Sequence, residues 1–307
     1  MISNLRAPIA ILSGAIAVLA GVAAAFGVFA RGDGTYVSVV SARGETYEMA
    51  TTGVYAYNAM RVVAEGVGWD VFTLLVAAPT LLLAAVLLAR GSFSATLVTG
   101  GMLGYFVYMY LEYTVTWAFG PLFPLFVVIL AASLIALIGV GALVQQMGLQ
   151  DRFGDAFPRR TWAVVGVGMA VMLTAMWSAR IAGALTANVP ALEGETTMTV
   201  QALDLGVMVP VTFVLVALAL RRRPVGLAAS AAFVITYVAM SAAIGSMLIS
   251  AWITSGVLDA VPIAVFGVAA VAGLVTAIRM HRSIRPLQGR AMSPMRGARP
   301  ADLPAAG

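Results

Sequence analysis

The chain has 307 residues, 61% hydrophobic and only 10% charged, with a mean hydropathy of +0.97 and a formal charge of +5. Such a composition excludes an ordinary soluble domain and describes a polytopic membrane protein. There is no cysteine and no lysine, so all 18 basic residues are arginine; thiol relays, disulfides and Schiff-base or other lysine-based covalent catalysis are excluded with them.

Eight apolar runs are long enough to cross about 30 Å of hydrocarbon. They cover approximately 8–30, 70–89, 96–116, 122–145, 161–184, 204–220, 225–251 and 258–279. The first follows Arg6 and has small residues near its end. A cleaved signal peptide is the alternative there, but the length of the apolar run favours a retained helix. The stretch 31–69 is the one long connection. TYVSVV and ETYEMATTGVYAYN have strand character, MRVVAEGVG reads as a short helix, and together they form a cap.

The second run opens at Asp70, is interrupted by Pro79 and closes at Arg90-Gly91. The sixth opens at Asp204, is interrupted by Pro210 and closes at Arg221 to Arg223. This echo predicts two parallel repeats of four spans, related by an axis along the membrane normal. The alternative is that each Asp caps a helix N-terminus and each Pro merely kinks a membrane helix.

The third run ends in GYFVYMYLEYTVTWAFGP, residues 104–121. At about 100° per residue, Tyr105, Tyr108 and Glu112 share one face, and Tyr110, Tyr113 and Trp117 another. A carboxylate in a spanning helix is costly unless it meets water or a partner. Glu112 therefore has three readings: an interfacial residue beside belt aromatics Tyr113 and Trp117, half of a buried pair, or a ligand site. Further on, Trp177 and Arg180 lie near one end of the fifth span. Arg180 either snorkels to the headgroups or pairs with Glu112, Asp70 or Asp204. The paired glycines of the third to fifth spans read as helix-packing residues.

Placing the N-terminus in the cytoplasm puts 14 of the 18 arginines, including Arg159, Arg160 and Arg221 to Arg223, on the inner side. Residues 1–280 then form an all-α membrane helix bundle of eight spans in a bacterial plasma membrane, both termini cytoplasmic. Residues 281–307 form a disordered basic tail facing anionic lipid headgroups. The positive charge is thus a matter of sidedness, not a nucleic-acid footprint.

The single histidine, His281, in the expected tail, argues against bis-histidine haem, a histidine zinc site and Ser–His hydrolysis, and no GxxxxGK is present. No cofactor, metal site or catalytic group is expected. The arrangement Asp70…Pro79…Arg90-Gly91-Ser92, followed by GYFVYMYLEYTVTWAFGPLFPLFVVILAASLIALI, resembles a group of multi-pass bacterial membrane proteins of unknown function, frequent in actinobacteria. The resemblance covers about residues 65–225 and carries no activity.

These readings favour a non-enzymatic protein that binds or transports a small molecule in an outward-facing polar and aromatic pocket. Glu112 and Arg180 are its charged contacts, Tyr105 and Tyr108 its lining, with Asp70 and Asp204 nearby. The alternatives are an accessory or scaffold subunit holding a protein partner through its long loop or tail and, least favoured, a lipid-modifying enzyme.

Overall fold

The computed structural model describes residues 2–286. The chain is mostly helical, and seven of its helices are long and apolar enough to cross a membrane. The long helices, in chain order, are α1 (Ile2–Phe29), α2 (Met60–Ala89), α3 (Phe93–Val115), α4 (Phe123–Gln146), α5 (Arg159–Thr186), α6 (Thr199–Leu220), α7 (Pro224–Ser255) and α8 (Ala260–Arg282). Large apolar side chains such as Leu83, Ile135, Ile138, Val164, Val214, Val268 and Val271 point outward. A soluble protein rarely exposes so much contiguous apolar surface, whereas a bilayer favours it.

The long helix outside these seven is α3, which is less apolar, and its surroundings explain why. Sixteen of its 23 residues are buried. Sheathed by α2, α4 and α7, it has little need of a lipid-facing stripe and can carry glycines, tyrosines and Glu112. Its glycines set those contacts: a Cβ on Gly101 would meet the Ile235 side chain, and one on Gly104 would meet Thr236. The Thr236 hydroxyl donates to the Gly101 carbonyl at 2.7 Å.

Helices α1 to α4 close a ring in which α1 packs on α2, α2 on α3, α3 on α4 and α4 back on α1. Helices α5 to α8 close a second ring in the same order. The two rings meet where α7 packs against α2 and α3.

Each ring contains one interrupted helix. In α2 a π-turn occupies Thr73–Ala77, with the Ala78 amide donating to the Thr73 carbonyl. In α6 it occupies Asp204–Met208, with the Val209 amide donating to the Asp204 carbonyl. Pro79 and Pro210 follow two residues after each turn. Proline lacks an amide hydrogen and crowds the carbonyl four residues back, and a widened turn relieves that conflict. By this register Pro79 matches Pro210 and Thr73 matches Asp204. Asp70 lies almost one turn earlier, which accounts for the unequal Asp-to-Pro spacings of the sequence.

Several expectations are corrected. The helix read in MRVVAEGVG is there, but it is continuous with the second span as α2 from Met60, so the connection at one end of the bundle is about ten residues shorter than 31–69. Asp70 is interior to α2 and caps nothing. The chain is not purely helical: strands β1 (Tyr36–Val40) and β2 (Thr46–Ala50) form an antiparallel hairpin, Tyr36 opposite Ala50. The tail does not begin at 281, because α8 runs to Arg282 and Ile284 bridges to Phe153. The remainder of the expected tail lies outside the described residues.

The hairpin marks one end of the bundle. Asn58 joins its base to the α3–α4 turn, its Oδ1 accepting from the Ala118 amide at 2.9 Å. At the hairpin tip, Glu45 accepts from the amides of Leu192 and Glu193 at 3.0 and 2.9 Å, and Arg43 donates to the Thr196 carbonyl. The opposite end carries the arginine-rich turns, where Arg222 pairs with Asp155 at 2.7 Å and Arg152 lies 4.4 Å over the Phe93 ring.

Candidate functional site

Two polar centres lie in the hairpin half of the bundle, and they differ in kind. The first is closed. Asp70, 2% exposed, accepts from the Tyr55 hydroxyl at 2.5 Å and from the Tyr113 hydroxyl at 3.0 Å, so both carboxylate oxygens are engaged. Tyr113 stacks on Phe126 at 4.8 Å and meets Trp117 edge-on at 4.4 Å. Tyr105 is fully buried beside this cluster. Its hydroxyl receives the Trp69 indole N–H at 2.8 Å and lies 3.0 Å from the Thr73 hydroxyl. Gly27 on α1 gives the Asp70 carboxylate and Tyr55 their space, because a Cβ there would overlap both.

The second centre is open. A cavity of about 310 Å³ lies between the two rings at the hairpin end. Helix α3 contributes Tyr108 and Glu112, α5 Trp177 and Arg180, and α6 Gln201 and Asp204; Met240, Met247 and Leu248 of α7 and Phe266 of α8 complete the walls. Asp204 is satisfied, its two oxygens accepting from Tyr108 and Trp177 at 2.7 Å each. Glu112 is not. It is 4% exposed, and its buried Oε2 has no hydrogen-bond partner.

The rim is formed by α2 and by the 187–198 connection that the hairpin tip holds. Arg61 pairs with Glu65 at 2.8 Å and approaches Glu193 at 3.7 Å. Burial raises the carboxyls of Glu193 and Glu195 above the usual range, opposed at Glu193 by Arg61 and at Glu195 by Arg180. The lining totals six carboxyl groups (Glu65, Glu112, Glu193, Glu195, Asp204, Asp259) against the two guanidiniums of Arg61 and Arg180.

The cavity therefore brings together Glu112, Tyr108, Asp204 and Arg180, and leaves out Asp70 and Tyr105. Of the two readings of Arg180, the pairing with Glu112, Asp70 or Asp204 is not among the ion pairs of the described residues. Arg180 is exposed, its guanidinium donating to the Ala191 carbonyl at 3.3 Å. Nor is Tyr113 an interfacial belt residue, since it is 2% exposed within the aromatic cluster. Sequence reasoning missed Trp69, Gln201 and Glu45. Gln201 and Trp69 precede the two aspartates closely, but nothing in the sequence links Glu45 to a loop 147 residues away.

No protein-family model matches the chain, and no curated protein or solved structure does either.

Proposed function

We propose that the protein is an eight-span integral membrane protein of a bacterial plasma membrane that binds or carries a small molecule through the cavity at its hairpin end. The observation that carries this reading is Glu112, an unpartnered buried carboxylate lining a cavity of about 310 Å³ whose walls are mostly apolar and aromatic beneath a charged rim. Cavities of this size, mostly apolar with a few placed polar groups, are the usual form of small-molecule sites.

In this reading α3 is the eighth span. The arginine-rich turns and both termini lie in the cytoplasm, where they meet anionic headgroups, and the hairpin lies outside. The matched rings, each with a π-turn two residues before a proline, support two parallel four-span repeats with the site between them. Binding sites in membrane carriers commonly lie between such repeats.

The lack of cysteine makes the test direct. Single cysteines replacing Arg43, Asp155, Arg180 and Asp204 are treated in intact cells with a membrane-impermeant thiol reagent. Positions 43, 180 and 204 are expected to react, and 155 only after lysis. Reaction at 155 in intact cells reverses the orientation. A silent 204 beside a reactive 43 leaves no open cavity, and the accessory-subunit reading then takes over.

A further inference from the structure

Resting on that reading, the geometry points to a monovalent organic cation as the occupant of the cavity, an ammonium group on an apolar body, with the Glu112 carboxylate as its counter-ion. The lining is acidic overall, and both of its guanidiniums sit at the rim and are already engaged, Arg61 with Glu65 and Glu193, Arg180 with a backbone carbonyl. An arriving anion meets net repulsion there, a cation attraction.

Deeper in, both oxygens of Asp204 already accept a hydrogen bond, from Tyr108 and from Trp177. Glu112 Oε2 is unpartnered, and none of the ion pairs among the described residues includes Glu112. A buried carboxylate left this way is costly, and a positive charge arriving beside it removes that cost.

The valence follows from what surrounds Glu112. Among the described residues no group of three or more His, Cys, Asp or Glu side chains converges to hold a metal ion. Calcium and magnesium want about six or more oxygens and zinc about four ligands, while one carboxylate suits one ammonium. The apolar body follows from Met240, Met247 and Leu248, and Trp69, Trp117 and Trp177 also line the cavity, a residue type to which cations are drawn.

The test uses the full chain in detergent, with tryptophan fluorescence read against three probes: benzyltrimethylammonium, neutral benzyl alcohol and anionic benzoate. The cation is expected to give a saturable change with an affinity at least about tenfold above that of benzyl alcohol, and benzoate none. Glu112→Gln is expected to weaken the cation at least about tenfold and to leave benzyl alcohol unchanged. If benzyl alcohol or benzoate saturates as tightly as the cation, or the folded Glu112→Gln protein binds the cation equally well, the cation inference falls and the cavity reading stands. If no probe saturates, both fall. The probe series on the unmodified protein decides the matter even if the variant does not fold.

Discussion

The Tyr108 hydroxyl donates to Asp204 Oδ1 at 2.7 Å, joining α3 of the first ring to the π-turn of the second across 96 residues of chain. Four residues further along the same face of α3, Glu112 has no such partner. One helix face thus presents a satisfied carboxylate contact and an unsatisfied carboxylate to the same cavity. Tyr108→Phe leaves Asp204 with Trp177 alone. We expect a loss of about 1 kcal/mol, typical of an interhelical hydrogen bond in a membrane protein. A double-mutant cycle with Asp204→Asn, read by thermal unfolding in detergent, checks that the loss belongs to this pair.

Tyr55 is the point at which the 30–59 connection enters the bundle. Tyr55→Phe removes one of the two donors to Asp70 and leaves Oδ2 buried without a partner. The expected cost is about 1–3 kcal/mol. Limited proteolysis should show faster cleavage in 51–58 with α1 and α2 intact. Unchanged proteolysis would mean that the hydroxyl contact does not anchor the connection.

Gly68 sits where α2 crosses α7. A Cβ there would lie 2.7 Å from the Met247 Cα and closer still to the Ser246 carbonyl, which is backbone and cannot swing aside. Gly68→Ala should cost about 1–3 kcal/mol or more through overpacking. Gly267→Ala, whose Cβ meets open space, should be silent in the same unfolding measurement.

Asp33 Oδ1 accepts from the Thr52 hydroxyl at 2.6 Å and the Thr35 amide at 3.0 Å, tying the two ends of the hairpin together. Those bonds, the Thr52 hydroxyl first, hold its carboxyl down from an ordinary 3.8 to about 2. A lowered carboxylate pKa stabilises the closed arrangement above the ordinary value, and the contribution disappears as pH falls through the lowered one. Hydrogen exchange at the Thr35 amide, corrected for intrinsic rates, should show full protection above pH 4 and progressive loss towards pH 2. Asp33→Asn should flatten that profile.

Glu45 holds the rim of the cavity from the hairpin tip, 147 and 148 residues away from the amides it accepts. Glu45→Ala should loosen the 187–198 connection without unfolding the bundle. A cysteine at Asp204 would then react several-fold faster with an impermeant thiol reagent.

Much of the bundle can be read from hydropathy, since apolar runs mark helices to within a few residues. What that reading loses is instructive. The first ten residues of α2 read as a separate short helix because Arg61 and Glu65, an i,i+4 pair facing the cavity rim, break the apolar run that would join them to the span. Glu112 is legible as an anomaly, and its face is shared with Tyr108 as the helical period requires. The period cannot say what covers that face. Tyr105 lies on the same side yet is sealed by Trp69 and Thr73, while Tyr113, on the other side, is sealed by Phe126 and not by headgroups. Arg180 has the charge to pair with a membrane carboxylate, but it lies exposed near the hairpin-side end of α5, reaching toward Ala191. These outcomes depend on contacts far apart in the chain, which local pattern does not encode.

We expect water and small solutes to reach Glu112 from the hairpin side. Single cysteines at 112 and at 105, in a chain that has no other, are exposed in intact cells to a small membrane-impermeant thiol reagent. Position 112 is expected to react, and 105, sealed behind Trp69, is not. A silent 112 with the protein folded and the hairpin tip reactive would contradict that expectation, because Glu112 would then be a buried structural residue and the cavity closed.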